Sequence, residues 1–196
     1  MKIFLATGNK KKIEEISKIL ENMDLEILSI KDGIEIPEVI EDGDTFESNS
    51  QKKALEIAKF TGMVTIADDS GLCVEALNGE PGVYSARYAG EHANDKKNNE
   101  LLIENLRDIE NRKGRFVCVI TLAKPTGEFY SYRGEMEGII VDEAKGEFGF
   151  GYDPHFYIEE YKKTLAEMPE LKNKISHRAK ALEKLKQGME KILKEC

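Results

Sequence analysis

Thr7-Gly8-Asn9-Lys10-Lys11-Lys12 concentrates positive charge at a place suited to bind an anion. It follows an apolar run, Ile3-Phe4-Leu5-Ala6, that reads as a strand. It opens a segment whose apolar residues Ile13, Ile16, Ile19 and Leu20 recur at helical spacing. Three lysines then fall in the first turn of a helix, with Asn9 placed as its N-cap. That end of a helix already carries the positive pole of the dipole, and a cation there costs a few tenths to about 1 kcal/mol. A strand, a glycine turn and a cationic helix start together form an anion site. The P-loop spacing GxxxxGK[ST] is absent, so any phosphate cradle is of another kind. The plainer alternative is a solvated lysine run on a surface helix.

Asp68-Asp69-Ser70-Gly71 is the second such stretch. It follows Met63-Val64-Thr65-Ile66-Ala67, which reads as a buried strand ending at Asp68. Ligands in α/β sheets gather beyond the carboxyl ends of strands. Two carboxylates there suit a metal ligand and a general base, and neighbouring side chains of a strand point to opposite sides. Asp-Ser-Gly is also ordinary turn chemistry. Magnesium takes oxygen ligands and keeps several waters, so one or two carboxylates suffice for it. Glu41 or Asp42 could supply a second one, and Lys52 or Lys53 could orient phosphate or a water.

Ser176-His177-Arg178 repeats the pattern of a capping residue followed by cations, with Lys172 and Lys174 just upstream. Phe148-Gly149-Phe150-Gly151-Tyr152-Asp153-Pro154 puts rings on a backbone that can approach a ligand closely, and such a loop can stack on a base. A packed turn with its rings in the core is the alternative.

The elements that must position these residues follow from periodicity and turn chemistry. Strands are expected near 2–6, 25–30, 63–67, 116–123 and 128–141, the last two joined at Lys124-Pro125-Thr126-Gly127. Helices are expected near 9–21, 46–60 with Thr45 as N-cap, 94–107 and 177–194. The last carries Leu182, Leu185, Met189 and Ile192 on one face. Residues 31–44, 78–95 and 146–154 read as loops. Early interleaving of strands and helices with a late hairpin predicts an α/β fold with a mixed sheet.

Composition narrows the class of function. The 196 residues are 40% hydrophobic and 34% charged, which fits one globular domain. The net charge of −8 argues against a general nucleic-acid binder and leaves room for a small phosphorylated ligand on a local cationic patch. No apolar run approaches the roughly 20 residues of a membrane span, and the start of the chain shows no signal peptide. Cys73, Cys118 and Cys196 have neither paired nor metal-like spacing, which fits a reducing cytoplasm.

In combination these segments resemble the inosine triphosphate pyrophosphatase family. The matching stretches are Leu5 to Lys10, Asp42 to Phe46 with Asn49 and Lys53-Ala54, Ala67 to Leu72, Pro81 to Arg87, Gly149 to Pro154, and Ile175 to Arg178. The resemblance implies an elongated mixed sheet flanked by helices, in two lobes with the active-site cleft between them, as a single domain over 1–196. It implies Mg²⁺-dependent hydrolysis of ITP, dITP and XTP to the monophosphate and pyrophosphate, by a homodimer. Thr7, Gly8, Asn9, Lys10, Lys11 and Lys12 would line the triphosphate site, with Lys53 nearby. Glu41 and Asp69 would hold the metal, Asp69 would accept the proton of water with Asp68 in support, and Ser70 would touch substrate. Phe150, Gly151, Tyr152 and Asp153 would form part of the nucleotide pocket, with Phe150 stacking on the base. Lys172, His177 and Arg178 would read the base: donors of this kind match a purine 6-carbonyl and mismatch the amino group of adenine. A non-catalytic purine nucleotide sensor and a pyrophosphatase for modified pyrimidine nucleotides are the alternatives.

Overall fold

The first strand shows why its sequence is an unbroken apolar run. In the computed structural model, which describes residues 2–90 and 94–194, β1 (Lys2–Leu5) alternates its side chains between two cores. Ile3 and Leu5 pack with Ile13, Ile16 and Leu20 of α1 (Lys10–Leu20) and with Leu182, Leu185 and Met189 of the last helix. Phe4 and Ala6 pack with Ala54, Ile57 and Ala58 of α2 (Phe46–Thr61). A strand covered on both faces has no polar side to show. It pairs in parallel with β2 (Glu26–Leu28) and with β3 (Val64–Val74), Phe4 lying opposite Leu28 on one side and Thr65 on the other.

The chain continues through α3 (Asp95–Asn105), β4 (Lys113–Ala123), β5 (Phe129–Ile140), β6 (Phe156–Ile158), β7 (Lys163–Thr164), α4 (Pro169–Ile175) and α5 (His177–Lys194). The seven strands form one sheet in the order β2-β1-β3-β4-β5-β6-β7. The pairs β5–β6 and β6–β7 are antiparallel, so the sheet is mixed, as the sequence predicts. The turn between β4 and β5 closes through Gly127 N–H donating to the Lys124 carbonyl at 3.0 Å, with Gly127 at φ +95°.

Two compact units divide the chain. The first comprises Met1–Asp69, Cys118–Gly134 and Arg178–Cys196, and the second comprises Ser70–Val117 and Glu135–His177. The second unit has its own core, built on Leu72, Leu102, Leu106, Phe116, Met136, Phe156 and Leu165. No helix among the described residues is long and apolar enough to cross a membrane.

Several sequence expectations change. The strand expected to stop at Asp68 runs on to Val74, so Asp68 and Asp69 lie within a strand and not beyond its end. The apolar residues Leu72 and Val74 are fully buried and carry the strand past the Asp-Ser-Gly turn signal. Strands β6 and β7 and helix α4 carry no periodic signal, being three, two and seven residues long. The expected loop at 78–95 contains a 3-10 segment, Gly82–Arg87. Residues 91–93 of that loop, the side chain of Ile192, and Met1 and Cys196 lie outside the described residues.

Candidate active site

Consecutive residues of β3 send their carboxylates to opposite faces of the sheet. Ile66 enters the core beneath α1 and α5, and Asp68, two residues on, takes the same side. Ala67 enters the core beneath α2, and Asp69 takes that side. The two acids meet different partners because different helices cover the two faces.

On the first face, Asp68 is fully buried and surrounded by cations. Its Oδ2 lies 2.9 Å from Lys12 Nζ and 3.3 Å from Arg178 Nη2. Arg178 also pairs through Nη1 with Glu15 Oε2 at 2.5 Å, and its side chain is 2% exposed. Burial favours the neutral acid at Asp68, yet Lys12, Arg178 and Lys53 outweigh it and hold the carboxyl well below the usual range. Burial likewise disfavours the Arg178 cation, and Asp68 and Glu15 overcome that and raise it. Lys12 and Arg178 thus both reach one buried carboxylate, from the first turn of α1 and the first turn of α5.

The start of α1 is built as its sequence suggests. Asn9 caps the helix, its side-chain oxygen accepting from Lys11 N at 3.0 Å and Lys12 N at 3.2 Å, and Thr7 Oγ1 accepts from Asn9 N at 3.2 Å. Gly8, Lys10 and Lys11 are exposed.

On the second face, Asp69 is buried and accepts from Asn49 Nδ2 at 3.0 Å. Desolvation raises its carboxyl to about 6; the Asn49 hydrogen bond and Lys12 oppose the rise, and the nearby Glu41 charge adds to it. Glu41 forms an ion pair with Lys53, and Asp42 pairs with Lys52 at 2.7 Å. Glu41, which acts electrostatically on Asp69, is the less exposed of the two loop acids, 28% against 66% for the side chain. Among the described residues no three His, Cys, Asp or Glu gather as a ready-made metal cage. Glu41 and Asp69 could offer carboxylate oxygens to a metal, the donor type that suits a hard divalent ion such as magnesium, which keeps waters and takes phosphate oxygens for the rest of its shell.

The second unit holds the remaining candidates. Asp153 Oδ2 accepts from Lys172 Nζ at 2.7 Å and from Phe150 N at 2.9 Å, both carboxylate and ammonium being almost wholly buried. Lys172 Nζ lies 4.6 Å from the centre of the Phe150 ring, a cation–π distance. Gly149, at φ +80°, passes so close to Asp153 that a Cβ there would lie 2.2 Å from Oδ2. Gly151 donates its N–H to Asp95 at 2.7 Å and its carbonyl accepts from Asn99 at 2.9 Å. Tyr152 turns inward, its hydroxyl donating to the Ser85 carbonyl at 2.8 Å, and burial raises its pKa. His177 is buried and stacks on Phe116 with ring centres 4.8 Å apart. Ser70 is half-buried.

The geometry thus brings together Lys12, Asp68 and Arg178 on one face and Glu41, Lys53 and Asp69 on the other. In the second unit it joins Phe150, Asp153 and Lys172, and it places Tyr152 and His177 in packed surroundings. It also adds residues to which sequence reasoning assigned no role: Asn49, Glu15, Asp95 and Asn99. Asn49 left a signal, since it and Ser50 are polar on the face of α2 that buries Phe46, Ala54 and Ile57.

A family model described as the Ham1 family matches residues 3–188. A dITP/XTP pyrophosphatase of Clostridium perfringens is 51% identical, over 98% of this chain and 99% of that protein. Another, of Desulfotalea psychrophila, is 50% identical over 98% of this chain and 86% of that protein. The solved structure of the Staphylococcus aureus Ham1 protein superposes with a TM-score of 0.87 at 42% identity, covering 97% of this chain and 98% of that one. With sequence and fold matching from end to end, the chain belongs to the Ham1 family.

Proposed function

We propose that this protein is a Mg²⁺-dependent pyrophosphohydrolase that removes non-canonical purine nucleoside triphosphates, ITP, dITP and XTP, from the nucleotide pool. Relatives at about half identity bear the name dITP/XTP pyrophosphatase. The observation that carries the reading is the contrast between two adjacent carboxylates. Lys12 and Arg178 reach Asp68 at 2.9 and 3.3 Å and pin it as an anion on one face, while Asp69 turns to the other face, where the neutral Asn49 amide donates to it at 3.0 Å and burial raises its carboxyl. A carboxylate oriented by a neutral amide, in surroundings that resist its charge, is suited to accept a proton.

Cleavage between the α and β phosphates consumes one water. Its oxygen joins phosphorus, the bridging P–O bond breaks, and pyrophosphate leaves the nucleoside monophosphate. Asp69 accepts the proton of that water. Lys10, Lys11 and the capped start of α1 offer donors to the phosphate oxygens. Glu41 and Asp69 would hold the metal, which when bound neutralises phosphate charge and acidifies water. Phe150 offers a ring for the base, and Lys172 offers a donor suited to a 6-carbonyl. Phosphoryl transfer of this kind depends mainly on positioning and charge neutralisation, which these groups supply. The resemblance also points to a cytoplasmic homodimer, and sedimentation equilibrium would measure that state.

Replacing Asp69 by Asn tests the assignment. Turnover of ITP falls by about 10²–10⁴-fold, the usual contribution of a general base, while the nucleotide still binds. Wild-type turnover in Asp69→Asn would sink the role of Asp69. Binding without cleavage by the wild-type protein would favour a nucleotide sensor.

A further inference from the structure

Asn49 touches both sides of the candidate metal site and is itself 1% exposed. Its amide nitrogen donates to Asp69 Oδ2 at 3.0 Å and to the Gly43 carbonyl at 3.3 Å. Its amide oxygen accepts from Gly43 N at 2.8 Å. Gly43 presents both an N–H and a carbonyl, so it dictates which way the amide faces, and the remaining hydrogen of the amide nitrogen is then aimed at Asp69. The clamp leaves no room for a side chain on the loop: a Cβ at Gly43 would lie 2.8 Å from Asn49 Oδ1 and 2.2 Å from Ser48 Oγ. Ser48 belongs to the capping box that starts α2 with Thr45. Glu41 stands two residues before Gly43.

We infer that Asn49 is a positioning residue that fixes the Glu41–Gly43 loop and the Asp69 carboxylate in one frame, so that Glu41 and Asp69 act as a preset pair toward a divalent cation. The inference rests on the reading of Glu41 and Asp69 as metal ligands. It gives physical reasons for two features of the sequence, a buried amide on a core-facing helix stripe and a side-chain-free residue in an acidic loop. Partners that orient metal ligands are worth about 10–100-fold in affinity or activity when removed.

The test is Mn²⁺ binding to the free protein, followed by electron paramagnetic resonance, alongside steady-state kinetics with ITP and a thermal melt. Asn49→Ala is expected to weaken Mn²⁺ binding by about 10–100-fold and to lower kcat, with the KM for ITP close to wild type. Gly43→Ala keeps every atom of the Asn49 clamp and disturbs it from the loop side, so it carries the test if Asn49→Ala does not fold. The double variant should lose no more than the worse single one, because both act through one contact. Wild-type Mn²⁺ affinity in the two variants overturns the inference, as does a loss confined to melting temperature. Glu41→Gln and Asp69→Asn separate the two levels of the argument. If they weaken Mn²⁺ binding and the Asn49 and Gly43 variants do not, the positioning role fails alone. If wild-type protein binds no Mn²⁺, the metal reading fails and the inference falls with it.

Discussion

Lys12 Nζ stands 2.9 Å from Asp68 Oδ2, so the third lysine of the cationic helix start is committed to a buried carboxylate. Lys10, two residues earlier, is exposed. The two should therefore behave differently when truncated. Lys10→Ala is expected to leave stability within about 0.5 kcal/mol of wild type and to raise the KM for ITP. Lys12→Ala and Arg178→Ala each strip a partner from Asp68, and breaking a buried pair costs about 3–5 kcal/mol. Urea denaturation of the three variants checks this. A stable Arg178→Ala protein would show that the Asp68–Arg178–Glu15 cluster contributes little to the fold.

Gly149 and Asp153 are in closer approach than any side chain at 149 would permit. Gly149→Ala combines a left-handed backbone, which costs a non-glycine residue roughly 1–2 kcal/mol, with a Cβ 2.2 Å from Asp153 Oδ2. The carboxylate must move, and it holds both Phe150 N and Lys172. The expected outcome is a higher KM for ITP with a smaller change in kcat. Base stacking alone is worth about 1–3 kcal/mol, so Phe150→Ala should raise KM by up to about two orders of magnitude by that measure. Unchanged KM in both variants would detach this loop from the substrate.

Much of the frame was readable from sequence because local rules decide it. Asn9 and Thr45 cap their helices as their residue types suggest, and Ile13, Ile16 and Leu20 fall on the buried face of α1. The failures come from long-range terms. Asp68-Asp69-Ser70-Gly71 carries a local turn signal, yet the strand continues, because Lys12 and Arg178 from distant segments neutralise Asp68 and Asn49 holds Asp69. Helix α4, seven residues long, is too short for periodicity to show, so Lys172 was assigned to no element. The burial of Arg178 was likewise hidden: its partner Glu15 is 163 positions away.

Cys118 lies on β4 in the core beneath α1 and α5, and burial pushes its thiol up to about 12. A raised thiol pKa means that almost no thiolate exists near neutral pH. Native protein treated with iodoacetamide at pH 8 should show no label on the Cys118 peptide by mass spectrometry, while half-buried Cys73 is expected to react faster. Denatured protein should label at both. Rapid labelling of native Cys118 would mean that this core opens readily.

The most direct measurement is phosphorus NMR of ITP incubated with the protein and Mg²⁺. Cleavage between the α and β phosphates yields two products, inosine monophosphate and pyrophosphate, with no orthophosphate, and ATP under the same conditions stays largely intact. Release of orthophosphate with a nucleoside diphosphate, or ITP left unchanged, would contradict the account.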